Sequence, residues 1–192
     1  IADMGGFSQY TWVLTSYLVA TTVTVLIAGK LSDLYGRKWV LTSAIVIFIV
    51  GSILCGLSAT MNQLIIFRGL QGIGAGAIMG LVFTTIGDLF APAERGKYIG
   101  FLSGVFGLSS VIGPTLGGFI TDNFSWNWVF FINVPLGILI IILFVFFFPH
   151  IRPDYKKPVI DYAGITTLVL WAAPLMLALS LAGVDYEWSS PI

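Results

Sequence analysis

The sequence predicts an all-α membrane protein, and three observations carry that prediction. Charged residues make up only 9% of the 192 residues, and hydrophobic residues 57%. A soluble domain carries about 25% charged residues, so this chain cannot cover a water-facing surface. Mean hydropathy is +0.97, and the apolar residues come in runs rather than in alternation. A helix of about 20 such residues crosses a hydrocarbon core of about 30 Å. All the basic residues but Arg68 fall in every second loop between the runs, the pattern that membrane insertion imposes.

Six spans follow in order, over residues 10–29, 39–57, 64–86, 98–121, 128–148 and 162–184. Trp12, Trp39, Tyr98, Trp126, Trp128 and Tyr162 fall near their ends, where amphipathic rings settle at the membrane surface. The chain opens at Ile1 with no start methionine or signal peptide, and closes in a polar segment after a span. Both ends therefore read as cut. Cys55 is the single cysteine, so no internal disulfide and no cysteine-pair metal site can form. It reads as a small apolar filler. Net charge is +0, which leaves no overall field to attract nucleic acid.

The charges orient the spans. Of the 9 Lys and Arg residues, Lys30, Arg37 and Lys38 lie between spans one and two. Arg95 and Lys97 lie between spans three and four, and Arg152, Lys156 and Lys157 between spans five and six. The intervening segments hold Asp3, Asp122, Asp185 and Glu187 and no basic residue. By the positive-inside rule the three basic loops are cytoplasmic, and residues 1–9 and 185–192 are extracytoplasmic.

Two loops three spans apart repeat one pattern. The first reads GKLSDLYGRKWVL (29–41) and the second GFITDNFSWNWVF (118–130). At one constant offset Gly29 pairs with Gly118, Asp33 with Asp122, Trp39 with Trp128 and Val40 with Val129. Phe119, Trp126 and Asn127 stand where Lys30, Arg37 and Lys38 stand in the first copy. Loops three spans apart lie on opposite faces, so the match reads as an inverted-topology repeat.

Glycines mark spans three and four. Gly72, Gly76 and Gly80 recur at four-residue spacing, and Gly100, Gly104, Gly107, Gly113, Gly117 and Gly118 crowd span four. Small residues let membrane helices approach closely; either these faces only pack, or some of them slide. Pro114 removes one ladder hydrogen bond and is expected to bend its helix. Arg68 lies roughly 9 Å along its helix from Asn62, at 1.5 Å per residue. It either snorkels to the headgroups or faces a partner or wet cavity inside the bundle. Gln71 and Gly72 share its face by helical spacing.

These segments carry a resemblance. GKLSDLYGRK (29–38) resembles the signature loop of the major facilitator superfamily, G-x-L-x-D-x-x-G-R-K, and meets every fixed position. LIIFRGLQGIGAGA (64–77) resembles the family's fourth-helix motif through Arg68, Gln71, Gly72, Gly74 and Ala75. SSVIGPTLGG (109–118) resembles the fifth-helix motif associated with antiporters, carried by Gly113, Pro114, Gly117 and Gly118. Ser109 replaces its usual leading glycine. WNWVFFINVPLG (126–137) resembles the sixth-helix start of the fourteen-helix drug:proton antiporters, with Asn127 where the familiar version has Arg. DYAGITTLVL and LALSLAGVDYEWSSP resemble their seventh helix and the loop after it.

The resemblance implies a partial transporter fold of six transmembrane helices with an inverted repeat. Residues 1–148 would be the N-terminal bundle without its first helix, 149–161 a cytoplasmic linker, 162–184 the family's seventh helix and 185–192 an extracytoplasmic loop. It implies proton-coupled efflux of drugs or other small amphipathic or cationic compounds from a cell membrane, in contact with the bilayer. The proton gradient is the energy source, and no cofactor or metal is implied. Gly29, Asp33, Gly36, Arg37, Lys38 and Asp88 would form the cytoplasmic gating motif; for these residues plain charge topology is the other reading. Arg68, Gln71 and Gly72 would serve proton coupling. Asp33, Asp88, Asp122 and Asp161 all lie at span ends, so the carboxylate that completes the coupling must come from elsewhere. A metabolite or sugar symporter of the same fold and a non-transport membrane module are the alternatives. A membrane-embedded enzyme would need paired His or carboxylates within the spans, and the one histidine, His150, sits at a span end.

Overall fold

Hydrocarbon holds no water to satisfy backbone N–H and C=O groups, so each apolar run must close its hydrogen bonds within a helix. The computed structural model describes residues 9–148 and 162–182, and they do so. The helices are α1 (Tyr10–Tyr35), α2 (Arg37–Gly56), α3 (Met61–Leu89), α4 (Pro92–Asn123), α5 (Trp128–Phe131), α6 (Asn133–Phe147) and α7 (Tyr162–Leu181). Five helical stretches are long and apolar enough to cross a membrane, the fifth being Trp128–Phe147, which comprises α5 and α6. The sixth expected span is α7, whose apolar stretch Ala163–Leu179 is shorter. Residues 1–8, 149–161 and 183–192, with Arg152, Lys156 and Lys157 among them, lie outside the described residues.

Helix ends depart from the hydropathy boundaries. α1 runs to Tyr35, so Lys30 and Asp33 are helical and Gly36 alone connects α1 to α2. Gly36 has φ 89° and ψ 142°, a backbone region that side chains disfavour. Asp88 lies in the last turn of α3 rather than in a loop. At the other end of α3, Thr60 accepts from the Gln63 N–H at 3.3 Å, and the Gln63 side chain accepts from the Ala59 N–H at 2.9 Å. This exchange satisfies donors that a helix start leaves open.

The α3 glycines set the packing. A Cβ added at Gly72 would lie 2.6 Å from the Tyr17 carbonyl oxygen, and one at Gly80 would lie 3.0 Å from that of Val25. Gly76 faces the Thr21 carbonyl more closely still. Contacts advance together along both helices, so α1 and α3 run parallel. On its other side α3 presents Gly74 to Phe48 and Ala44 of α2, and Gly51 of α2 abuts the Gln71 backbone. One apolar cluster gathers Ala28, Leu41, Ala44, Ile45, Ile49, Ala77 and Leu81, with Val134, Ile141 and Phe144 of α6 against it. A second, at the opposite end, holds Val13, Cys55, Met61 and Leu64, with Trp126 and Phe130.

The repeat appears as a reciprocal contact. Lys38 Nζ, at the start of α2, donates to the carbonyls of Val145 at 2.7 Å and Phe148 at 2.9 Å, at the end of α6. Asn127 Nδ2, just before α5, donates to the Gly56 carbonyl at the end of α2 at 2.6 Å. The offset that pairs Gly29 with Gly118 also pairs Lys38 with Asn127 and Gly56 with Val145. The same offset thus links donor to donor and acceptor to acceptor, and the start-to-end contacts make α2 and the α5–α6 span antiparallel partners, as an inverted repeat requires.

Span four differs from its expected packing. α4 has no buried residue, and Pro114 sits inside it without ending it. A Cβ at Gly100, Gly104, Gly107, Gly113, Gly117 or Gly118 would meet nothing within 4 Å. Glycine spacing gives a helix the capacity for close approach, and among the described residues no helix uses it there. α7 lies against α1, with Ala172 buried.

Candidate functional site

At the end of the bundle that carries Lys30, Arg37 and Lys38, the one-residue turn at Gly36 makes Arg37 the first residue of α2. Its side chain folds back over the end of α1. Nη2 pairs with Asp33 Oδ1 at 2.8 Å, and Nε pairs with Asp88 Oδ2 of α3 at 2.7 Å. Nη1 donates to the Gly29 carbonyl at 3.4 Å and contacts the Ser32 hydroxyl. Ser32 Oγ itself donates to the Gly29 carbonyl at 2.7 Å. One guanidinium thus ties the ends of α1 and α3 to the start of α2, and its fork geometry suits two carboxylates at once. The Arg37 side chain is 13% exposed, against 38% for Asp33 and 35% for Asp88. The cluster is a partly wet clamp, weaker than a buried pair and stronger than a free surface pair.

Lys38 does not join this cluster. Its ammonium points the other way, to the end of α6, and the residue is buried. Gly29 contributes its carbonyl rather than a packing surface, since nothing lies within 4 Å of a Cβ there. Arg95, read from sequence only as a topology charge, donates to the carbonyls of Gly87 at 2.6 Å and Phe90 at 3.1 Å. It closes the last turn of α3, where a cation also meets the negative end of the helix dipole.

Arg68 lies about 10 Å inside α3 from Met61, at 1.5 Å per residue. Its side chain faces the bundle. Nη1 donates to Gln71 Oε1 at 2.8 Å, and Gln71 Nε2 donates to Ser52 Oγ of α2 at 2.6 Å. The Cys55 thiol approaches Gln71 Oε1 at 3.9 Å. The guanidinium carbon stands 4.0 Å from the centre of the Tyr17 ring of α1 and 5.9 Å from that of Phe130. Gln71, Ser52 and Cys55 are all buried. The order of this network follows from donor chemistry: a guanidinium only donates, so Gln71 must turn its oxygen to Arg68 and its NH₂ to Ser52.

Sequence reasoning named Arg68, Gln71 and Gly72 as site residues but not Tyr17 or Ser52, and it singled out Asn127 only as the counterpart of Lys38 and as a departure from the sixth-helix motif. Tyr17 and Ser52 owe their places to close helix approaches at Gly72 and Gly51, and the Gly72 contact could have suggested only that some α1 residue lies nearby. Gly113, Pro114, Gly117 and Gly118 stand on the exposed α4 and join neither site. Among the described residues no group of three or more His, Cys, Asp or Glu is placed to hold a metal ion.

Comparison with known proteins agrees with this architecture. The family model described as Major Facilitator Superfamily matches residues 2–186. The chain is 49% identical over 190 residues to Multidrug resistance protein 3 of Bacillus subtilis (strain 168), covering 99% of this chain and 37% of that protein. It is 46% identical to the Multidrug transporter protein MdtP of the same organism, covering 99% and 35%. It is 34% identical to the MFS-type efflux pump LUC4 of a Fusarium species, covering 98% and 34%. The chain therefore spans about a third of the length of these relatives. Their names describe transport, resistance and efflux and no enzymatic reaction. With five apolar membrane-length helical stretches, this is a multi-pass membrane protein, and it belongs to the major facilitator superfamily.

Proposed function

We propose that the protein is the N-terminal part of a secondary transporter that exports drugs or other small amphipathic compounds across a cell membrane in exchange for protons. The carrying observation is the half-buried cation in α3, turned toward the bundle. Arg68 is held inside the bundle by Gln71 and Tyr17 rather than released to the headgroups, and an ionised residue at such depth marks an ion or substrate path. The guanidinium donors that meet no acceptor among the described residues suit a carboxylate that protonates and deprotonates in the transport cycle. The names of the bacterial relatives support drugs as substrates. The Asp33–Arg37–Asp88 clamp supports alternating access, because it joins three helices at one end and can break when that end opens. Residues 1–9 and 185–192 are then extracytoplasmic, and the clamp is cytoplasmic.

The test is transport by the full-length protein in everted membrane vesicles. A lipophilic cationic dye should accumulate when an inside-acid gradient is applied, and a protonophore should abolish it. Arg68→Ala should remove the response to the gradient. Dye movement that ignores the gradient in the wild type would overturn proton coupling, and import with the gradient would favour a symporter.

A further inference from the structure

We propose that Tyr17 and Ser52 are positioning residues that decide where the Arg68 guanidinium resides. An arginine roughly 10 Å from the end of its helix has two available positions. Its long side chain can extend back to the headgroups, or it can turn into the bundle. Among the described residues it is held inside by the Tyr17 ring of α1 and the Gln71 amide of α3, with the Phe130 ring farther off at 5.9 Å. Tyr17 of α1 lays its ring face under the guanidinium at 4.0 Å, and such a contact strengthens where water is excluded. Gln71 of α3 accepts from Nη1, and Ser52 of α2 fixes that amide from behind at 2.6 Å.

Neither residue belongs to the motifs that name Arg68. Their placement is set by backbone approach. Gly72, one turn after Arg68, admits the Tyr17 backbone, with a built Cβ only 3.2 Å from the Tyr17 Cα. Gly51, beside Ser52, admits the backbone of Gln71 at 2.7 Å. Thr21 adds a hydrogen bond to the Gly72 carbonyl at 3.2 Å, which fixes the register of α1 against α3. Removing the Tyr17 ring leaves the cation, among the described residues, one neutral acceptor and the more distant Phe130 ring, and tips the choice toward the headgroups. Removing the Ser52 hydroxyl leaves the buried Gln71 NH₂ without its acceptor, and the amide then turns to seek another.

This inference rests on the proposed role of Arg68 in proton coupling, but its first readout does not. In the full-length protein in sealed vesicles, a membrane-impermeant arginine-selective dicarbonyl reagent is added on the side of the Met61 end of α3. Modification of Arg68 is followed by peptide mass. The wild type and Tyr17→Phe, which keeps the ring face, should both be protected. Tyr17→Leu and, as a second non-aromatic replacement, Tyr17→Met should be modified about tenfold faster, the factor that corresponds to about 1.4 kcal/mol. Ser52→Ala should fall between. In dye transport, Tyr17→Phe should keep the wild-type pH profile while Tyr17→Leu shifts it. Equal labelling of Tyr17→Leu, Tyr17→Met and wild type overturns the inference even if Arg68→Ala abolishes coupling. If Arg68→Ala still couples to protons while labelling follows the ring, the transport reading fails and the positioning stands.

Discussion

Lys38 and Asn127 perform the same act at opposite ends of one helix pair. Each stands at the start of its own span and donates to a carbonyl at the end of the other, Lys38 to Val145 and Asn127 to Gly56. Helix C-termini leave carbonyls without intrahelical partners, and here each span supplies the donor for its antiparallel neighbour. Between the two caps the helices touch closely, with a Cβ on Gly137 falling 2.5 Å from the Ile49 side chain. The pair is fastened at both ends and packed in the middle.

These caps should carry measurable stability. Lys38→Met and Asn127→Leu each strip a donor from a partly buried carbonyl and should destabilise the fold by about 1–3 kcal/mol. Asn127→Arg keeps donors at that position and should lose less than Asn127→Leu. Thermal unfolding in detergent micelles reads the difference. Wild-type midpoints for both deletions would assign the pairing to apolar packing alone.

Glycine substitutions should separate α3 from α4 by sign. Gly76→Ala drives a methyl into the Thr21 carbonyl and forces α1 away from α3. It should destabilise by about 1–3 kcal/mol, as overpacking does. Gly104→Ala meets nothing within 4 Å in this chain, so it should gain up to about 1 kcal/mol from helix propensity. Unfolding of the isolated chain in micelles checks both. Equal effects would mean that the two glycine runs are packed alike.

What the sequence made legible was whatever hydropathy and charge encode directly. The apolar runs located the spans, and the Gly29/Gly118 match located the repeat. Their limits explain the misses. Hydropathy falls at Gly29, but backbone hydrogen bonding does not depend on side-chain polarity, so α1 continues to Tyr35. A charge count assigns Lys38 to a side of the membrane without saying that its ammonium turns to α6. The glycines of α3 and α4 look alike in sequence, and only the three-dimensional neighbours show that one set is filled and the other open. Tyr17 and Ser52 were invisible as site residues because the contact that recruits each lies on another helix.

The Arg37 clamp should behave as a coupled unit. Single replacements Arg37→Gln and Asp88→Asn both break the Nε contact, so their effects on stability should not add. A double-mutant cycle should return a coupling of about 1 kcal/mol, between that of an exposed pair and a charge-assisted buried hydrogen bond. High salt should reduce it, since Asp88 is 35% exposed. A coupling of zero at low salt would reduce the clamp to a coincidence of charge topology.

The orientation is testable in this chain with single cysteines, and the structure chooses the positions. Lys38 is the obvious basic-loop site from sequence, yet it is only 7% exposed and its ammonium is engaged, so a cysteine there would report burial rather than sidedness. Tyr35 is 65% exposed and Lys97 is exposed, both at the basic end. Asn123 is exposed at the other end, where α4 finishes. The native Cys55 is fully buried at 0% exposure, so it should stay silent and no prior removal is needed. In intact cells an impermeant maleimide should label Asn123→Cys and leave Tyr35→Cys and Lys97→Cys unmodified; in everted vesicles the pattern should reverse. Basic loops select the cytoplasmic side during insertion, so labelling of Lys97→Cys from outside intact cells would invert the topology and move the Arg37 clamp to the outer face.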